Sequence, residues 1–247
     1  MFIQINHSCK IKKIGLNFQT FIAKFEKKEN KVKLSCLLRN SLLSLWRCKV
    51  PPAFCNVETV NITKMDYEET GIKDVWVITP KVFVDSRGYF FEAWKQADFD
   101  AHIGGHVEFL QDNESKSSYG VLRGLHYQKG EFSQAKLVRV IRGKVLDVAV
   151  DLRKSSPTFG KHVMVELSEE NKRQLFIPRG FAHGFLVMSP EAIFTYKVDN
   201  VYAPQHEAGI RWNDETIGIN WPIDPKDVLT SEKDLKAKSF DEADVFE

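Results

Sequence analysis

After Met65 the chain is organised as short apolar and alternating runs separated by turn residues. Residues 75–79, 89–91, 107–110 and 121–128 are β-type runs bounded by Pro80, Gly88, Gly104-Gly105, Gly120 and Gly130. Residues 136–141 and 144–150 are two β-rich runs joined through Arg142-Gly143, a pattern that predicts a hairpin with Gly143 supplying the positive φ of a tight turn. Further runs follow at 163–167, 174–178, 184–188, 193–198 and 210–212, and only 95–103 and the tail from Ser231 read as helical. Many short strands without intervening helices predict an all-β sandwich or barrel, and their even spacing favours a jelly roll. No internal repeat, low-complexity stretch or second domain interrupts 65–247.

The segment before Met65 follows another pattern. Leu34, Leu38, Leu42, Leu45 and Trp46 recur at helical spacing opposite Asn40, Ser41 and Ser44, which allows a short amphipathic helix over 34–46 with basic flanks. Arg39 interrupts it, and no run reaches the roughly 20 apolar residues that a membrane-spanning helix needs. Composition sharpens this division. The 247 residues are 43% apolar, enough for a substantial core, and their formal charge of +2 averages two unlike parts. Residues 1–64 hold 12 basic against 3 acidic residues, a net of +9, whereas 65–247 hold 23 against 30, a net of −7. Cys9, Cys36, Cys48 and Cys55 all precede the boundary. The part after it therefore has no thiol for disulfides, thiolate catalysis or zinc ligation, and its acidity argues against nucleic acid as a partner. For 1–64 the favoured reading is a poorly ordered basic extension without a catalytic role, upstream of a true start at Met65. A presequence fits less well, because Lys predominates over Arg and no cleavage signal stands out. A metal site fits least, because cysteine gaps of 27, 12 and 7 positions contain no C-x-x-C unit.

Several polar residues stand where strand alternation sends apolar ones. In 122–128 His126 falls on the face of Leu122 and Gln128; Lys136 falls on that of Val138 and Val140, Asp147 on that of Val145 and Ala149, and Tyr196 on that of Phe194 and Val198. Each has an ordinary explanation alone: a satisfied histidine, a solvated strand end, a core tyrosine with a bonded hydroxyl. His183 follows the Pro178-Arg179-Gly180 corner and directly precedes a strand, a position suited to a barrel mouth. Together they suggest a cavity holding a base, a cation, a phenol and a second histidine. Arg123 and His126 are three apart and should point to opposite faces; either Gly124 allows a bulge, or one of them serves a site formed with a second subunit. A metal-dependent cupin would show a His-x-His pair with a later Glu and His. Here His126 is followed by Tyr127-Gln128, and Glu131 with His183 does not replace the missing ligand.

Asp85-Ser86-Arg87-Gly88-Tyr89-Phe90-Phe91-Glu92, Gln111-Asp112-Asn113, Leu122-Arg123-Gly124-Leu125-His126-Tyr127-Gln128, Pro178-Arg179-Gly180-Phe181-Ala182-His183-Gly184-Phe185 and Ser231-Glu232-Lys233-Asp234 occur in this order. Over essentially all of 65–247 the sequence resembles the dTDP-4-dehydrorhamnose 3,5-epimerase family. Residues 1–64 have no counterpart in it. The resemblance implies a cupin-type jelly roll, a homodimer with strands shared between subunits, no metal and no organic cofactor. It also implies an isomerase that inverts C3 and C5 of dTDP-4-dehydro-6-deoxy-D-glucose through an enolate, in dTDP-L-rhamnose synthesis for surface polysaccharide. Position by position, it makes His126 the general base, Asp234 its dyad partner, Tyr196 the acid and Lys136 the cation near the developing charge on O4. For substrate binding it implies Arg87, Glu92, Gln111, Asn113, Arg123, Lys136, His183, Glu207 and Lys233, with Tyr89 and Tyr202 flanking thymine. The expected location is cytoplasmic, with neither nucleic acid nor membrane as partner. The nearest rival is a sister enzyme that epimerises C3 alone or C5 alone. A metal-dependent cupin and a non-catalytic jelly-roll sugar binder are more remote; the latter has no need of His126, Lys136 and Tyr196 together.

Overall fold

The computed structural model describes residues 65–247 and, before them, the backbone of two strands. Contacts divide the chain into two units, Met1–Ile62 and Thr63–Glu247. In the first, β1 (Ala23–Lys28) and β2 (Lys31–Cys36) pair antiparallel. Residues 34–36 are thus strand rather than the start of a helix. The rest of 34–46 lies outside the described residues, as do Cys9, Cys48, Cys55 and most of the other residues on which the extension, presequence and metal readings of 1–64 rest.

The second unit runs β3 (Asp66–Glu69), β4 (Trp76–Thr79), β5 (Phe83–Asp85), β6 (Gly88–Phe90), α1 (Gln96–Ile103), β7 (Gln111–Ser118), β8 (Leu122–Gln128), β9 (Lys136–Arg142), β10 (Lys144–Asp151), β11 (His162–Ser168), β12 (Gln174–Ile177), β13 (Phe181–Val187), β14 (Glu191–Val198), β15 (Glu207–Gly209) and α2 (Glu232–Leu235). It is an all-β, cupin-type jelly roll. One sheet has the order β11-β10-β13-β8-β15, the other β3-β4-β12-β9-β14-β7, and β5-β6 form a small separate sheet.

Three apolar layers hold these sheets. Between them lie Val138 and Val140 of β9, Val145 and Ala149 of β10, Leu175 and Ile177 of β12, Phe185 of β13 and Phe194 of β14. The outer face of the five-stranded sheet is covered by the C-terminal segment, where Val148, Val150 and Leu186 meet Ile217, Trp221, Phe240 and Phe246. The outer face of the six-stranded sheet meets α1, whose fully buried Phe99 packs edge-on to Phe176 at 4.9 Å. Each of these large side chains contributes about 1.5–3 kcal/mol by leaving water. Covering the outer face as well as the inner one explains why β10 and β13 are buried almost throughout instead of alternating.

Four expectations are corrected. The runs 136–141 and 144–150 do not pair: β9 lies between β12 and β14, and β10 between β11 and β13. The chain crosses from one sheet to the other at Gly143, whose φ of 77° and close approach exclude a side chain; a Cβ there would stand 2.0 Å from the Glu191 carbonyl oxygen. The apolar residues 107–110 form no strand. The polar run after them does, pairing as β7 with β14 over its whole length as an edge strand whose charges protect it from further pairing. Residues 210–212 form no named strand: Glu207–Gly209 pair with β8 instead, and Ile210 makes an isolated bridge with Lys238. The tail from Ser231 has a single α-helical turn, α2, because Ser231 caps it through Oγ and Lys236 already leaves helical geometry.

Candidate active site

The site begins with the irregularity in β8. His126 pairs with His183 of β13 and Arg123 with Phe185, so three residues of β8 span two of β13. The extra residue is accommodated at Gly124, which has φ of 135° and packs so closely on β13 that a Cβ would lie 2.5 Å from the Gly184 Cα. Of the two explanations for the Arg123/His126 spacing, the bulge is the one found. It also corrects the assignment of His126 to the face of Leu122: all three of Leu122, Arg123 and His126 border the cavity, but the buried Leu122 packs into the outer apolar layer.

That cavity, of about 620 Å³, brings together Arg123, His126, Lys136, His183, Tyr196 and Asp234. Its two walls belong to different sheets. His126 and His183 come from the five-stranded sheet, and Lys136 and Tyr196 from the six-stranded one. Asp234 reaches His126 from α2, which is anchored through Leu229: its carbonyl accepts from the Leu122 N–H at 2.8 Å, and its own N–H donates to Gly120 at 2.8 Å.

His126 Nε2 is hydrogen-bonded to Asp234 Oδ1. The other carboxylate oxygen accepts from Thr230 Oγ1 at 3.3 Å. Burial alone would raise the pKa of Asp234, but the hydrogen bonds from His126, Ser231 and Thr230 outweigh it and hold the carboxyl below its ordinary range. A carboxylate on Nε2 fixes the imidazole with its proton there and leaves the Nδ1 lone pair free to take a proton. Lys136 has no hydrogen-bond or ion-pair partner among the described residues. Burial pushes its pKa down to about 8 despite the opposing charges of Asp147 and Glu207. Burial likewise raises that of Tyr196, which keeps the phenol protonated, although Arg123 works in the other direction. The Arg123 guanidinium is aimed by Ser117 Oγ, which accepts from Nε at 3.1 Å.

The other expected residues fall into three groups. Glu207 accepts from Tyr202 Oη at 3.0 Å and pairs with Lys233 Nζ at 2.5 Å, and its charge acts on both Lys136 and Tyr196. Asn113, with Gln111 donating to its Oδ1 at 2.7 Å, lines a recess of about 320 Å³ that shares Tyr196 with the main cavity. Arg87, Tyr89 and Glu92 lie on or just after the β5-β6 sheet and do not line the cavity. Arg87 pairs with Asp85 at 88% side-chain exposure, and Tyr89 lies beneath Lys172 Nζ, 4.3 Å from the ring centroid.

Asp147, Ser117, Thr230 and Ser231 escaped the sequence reading as contributors to the site. Asp147 leaves a signal as an acidic residue within the apolar run of β10, and Ser231 as the first residue of the Ser231-Glu232-Lys233-Asp234 motif; Ser117 and Thr230 leave none. Among the described residues no group of three or more His, Cys, Asp or Glu side chains is placed to hold a metal ion, and no helix is long and apolar enough to cross a membrane.

The family model of dTDP-4-dehydrorhamnose 3,5-epimerase matches residues 69–242. A protein of that name from Shigella flexneri is 55% identical over 182 residues, which cover 74% of this chain and 99% of the relative. Among solved structures, dTDP-4-dehydrorhamnose 3,5-epimerase from Elizabethkingia anophelis NUHP1 is similar with a TM-score of 0.70 at 51% identity, over 72% of this chain and 97% of the other. The dTDP-6-deoxy-D-glucose-3,5-epimerase of Legionella pneumophila Philadelphia 1, in complex with dTDP-4-keto-L-rhamnose, has a TM-score of 0.71 at 46% identity, over 73% and 95% of the two chains.

Proposed function

The chain belongs to the dTDP-4-dehydrorhamnose 3,5-epimerase family, and from that membership we propose that it inverts C3 and C5 of dTDP-4-dehydro-6-deoxy-D-glucose to give dTDP-4-dehydro-L-rhamnose. The observation that carries this reading is the position of the His126–Asp234 pair and Tyr196 on opposite walls of one cavity, with Lys136 beside them. A sugar ring between the walls presents one face to a base and the other to an acid.

The 4-keto group acidifies the hydrogens on C3 and C5. His126 Nδ1 takes one of them, the C–H electron pair becomes the C=C bond of an enolate, and the negative charge collects on O4. The Lys136 ammonium favours that charge over the neutral ketone, and a fixed cation facing a partly dry cavity is most effective there. The Tyr196 hydroxyl then delivers a proton to the opposite face of the same carbon, which inverts it. The tyrosinate and imidazolium left behind exchange protons with solvent. No electron is gained or lost overall, so the steps call for no redox cofactor.

Arg123 is assigned to the diphosphate because a guanidinium fork pairs with two phosphate oxygens at once. His183, Gln111, Asn113, Glu207 and Lys233 complete the substrate contacts, with Tyr202 against thymine. Arg87, Tyr89 and Glu92 reach a site only if the β5-β6 sheet extends to a second subunit, so the reading includes a homodimer with shared strands. The protein works in the cytoplasm, supplying L-rhamnose for surface polysaccharide. Residues 65–247 form the catalytic domain and 1–64 a basic extension outside it; a chain starting at Met65 should keep full activity and dimerise, and loss of either would assign 1–64 to the fold. The test of the activity is incubation with dTDP-4-dehydro-6-deoxy-D-glucose, before and after chelation, with the product followed by NMR. Inversion at both carbons, undiminished by chelation, is expected. Inversion at one carbon alone would identify a single-site epimerase, and loss on chelation a metal enzyme.

A further inference from the structure

Asp147 is a fully buried carboxylate that the reaction as written does not use. It sits in mid-β10, opposite Phe185 of β13 and two pairing positions from the Ala149–His183 pair. Its sole hydrogen-bond partner among the described residues is His183, whose Nε2 lies 3.0 Å from both carboxylate oxygens. Nδ1 of the same ring has no protein partner, yet no fully buried side-chain nitrogen or oxygen among the described residues lacks one. Nδ1 is therefore open to the cavity that His183 lines.

The other charges around Lys136 are already engaged. Glu207 of β15 is paired with Lys233 and Tyr202, and Asp234 of α2 is paired with His126 of β8. Arg123 of β8 adds positive charge, and Tyr196 of β14 and His183 of β13 present uncharged groups; burial, more than any other influence, holds the His183 pKa below its ordinary value. Glu114, on the edge strand β7, is exposed. Of the two carboxylates whose charge acts on Lys136, Asp147 and Glu207, only Asp147 has no Lys or Arg paired with it.

We propose that Asp147 is a positioning residue for the reaction: it fixes His183 with the proton on Nε2, so that Nδ1 accepts from a sugar hydroxyl, and its uncompensated charge keeps Lys136 an ammonium beside the forming enolate. The proposal rests on the epimerase reading. It gives Asp147 two effects that packing alone would not produce, one on a tautomer and one on a titration.

Asp147→Asn keeps the shape and one acceptor oxygen while removing the charge. The alkaline limb of its kcat profile should move about one pH unit or more towards neutrality, since a nearby opposite charge normally shifts an ammonium by that much. Activity at the acid end should be retained far better than at pH 8. An unmoved limb would overturn the proposal. If the variant does not fold, ¹⁵N NMR of the wild-type protein decides instead: His183 should be neutral with its proton on Nε2, and a proton on Nδ1 would overturn the assignment. Wild-type protein that fails to turn over the 4-keto substrate sinks the epimerase reading alone, because the His183 tautomer is measured without substrate.

Discussion

Replacing Lys136 by methionine separates two consequences of its burial. The ammonium sits on the cavity wall without a paired carboxylate, and loss of hydration lowers its pKa from 10.5 to about 8. That difference corresponds to at most about 3 kcal/mol of folding free energy, because one pH unit is worth about 1.4 kcal/mol. A base whose pKa falls on folding is a liability while it is charged. Below pH 8 both states carry the proton and the full cost is present; between 8 and 10.5 the unfolded chain holds the proton that the folded chain gives up, so wild-type stability from this group rises across that window. Lys136→Met keeps a chain of similar length and removes the charge. At pH 7 the variant should be more stable by up to about 3 kcal/mol, or about 6–12 °C in Tm for a domain of this size. The gain should fade as pH approaches 10.5. Turnover should fall by about 10²–10³-fold, as when one oxyanion-stabilising donor is removed. Urea unfolding at pH 7 and pH 10, read by tryptophan fluorescence, gives the stability term. A variant no more stable than wild type at pH 7 would refute the account of Lys136 as an ammonium held at the expense of stability.

Gly124→Ala should destabilise the domain by about 2 kcal/mol or more and reduce activity with it, because a Cβ at φ 135° would stand 2.5 Å from Gly184 Cα; an unchanged urea midpoint would show that β8 bends elsewhere. Tyr196→Phe should fold normally, retain proton exchange at C3 and lose inversion at C5, as NMR of the product will show. The stability contributed by keeping buried His183 neutral is complete above the ordinary histidine value of about 6.5. It is lost as pH falls below that, because the unfolded chain then binds a proton that burial denies the folded one. His183→Asn, which can still donate to Asp147, should therefore move acid unfolding to lower pH, and an unmoved midpoint would contradict this.

The strands that could be read from the sequence are those whose apolar residues face one or two covered layers, such as β9, β10 and β13. Pairing was less legible, because Arg142-Gly143 has the composition of a hairpin turn and only the third dimension shows that Gly143 passes under Glu191 into another sheet. β7 was invisible to hydrophobic pattern: an edge strand bordering a polar cavity needs no apolar face, and its stability comes from eight paired positions with β14. His126 is recognisable by motif, and Lys136 and Tyr196 as polar residues on apolar strand faces, but not their convergence, since a strict period of two puts Arg123 and His126 apart and only the bulge at Gly124 reunites them. Asp147 looked like an interruption of β10 until its partner, His183, was found across the sheet.

Proton exchange in deuterium oxide tests the two-walled chemistry most directly. With the wild-type protein and dTDP-4-dehydro-6-deoxy-D-glucose, NMR should show deuterium entering both C3 and C5, and His126→Ala should slow this by about 10²–10⁴-fold, the usual contribution of a general base. Exchange at neither carbon by the wild-type protein, or full exchange by His126→Ala, would contradict the assignment of His126 as the base that opens the reaction.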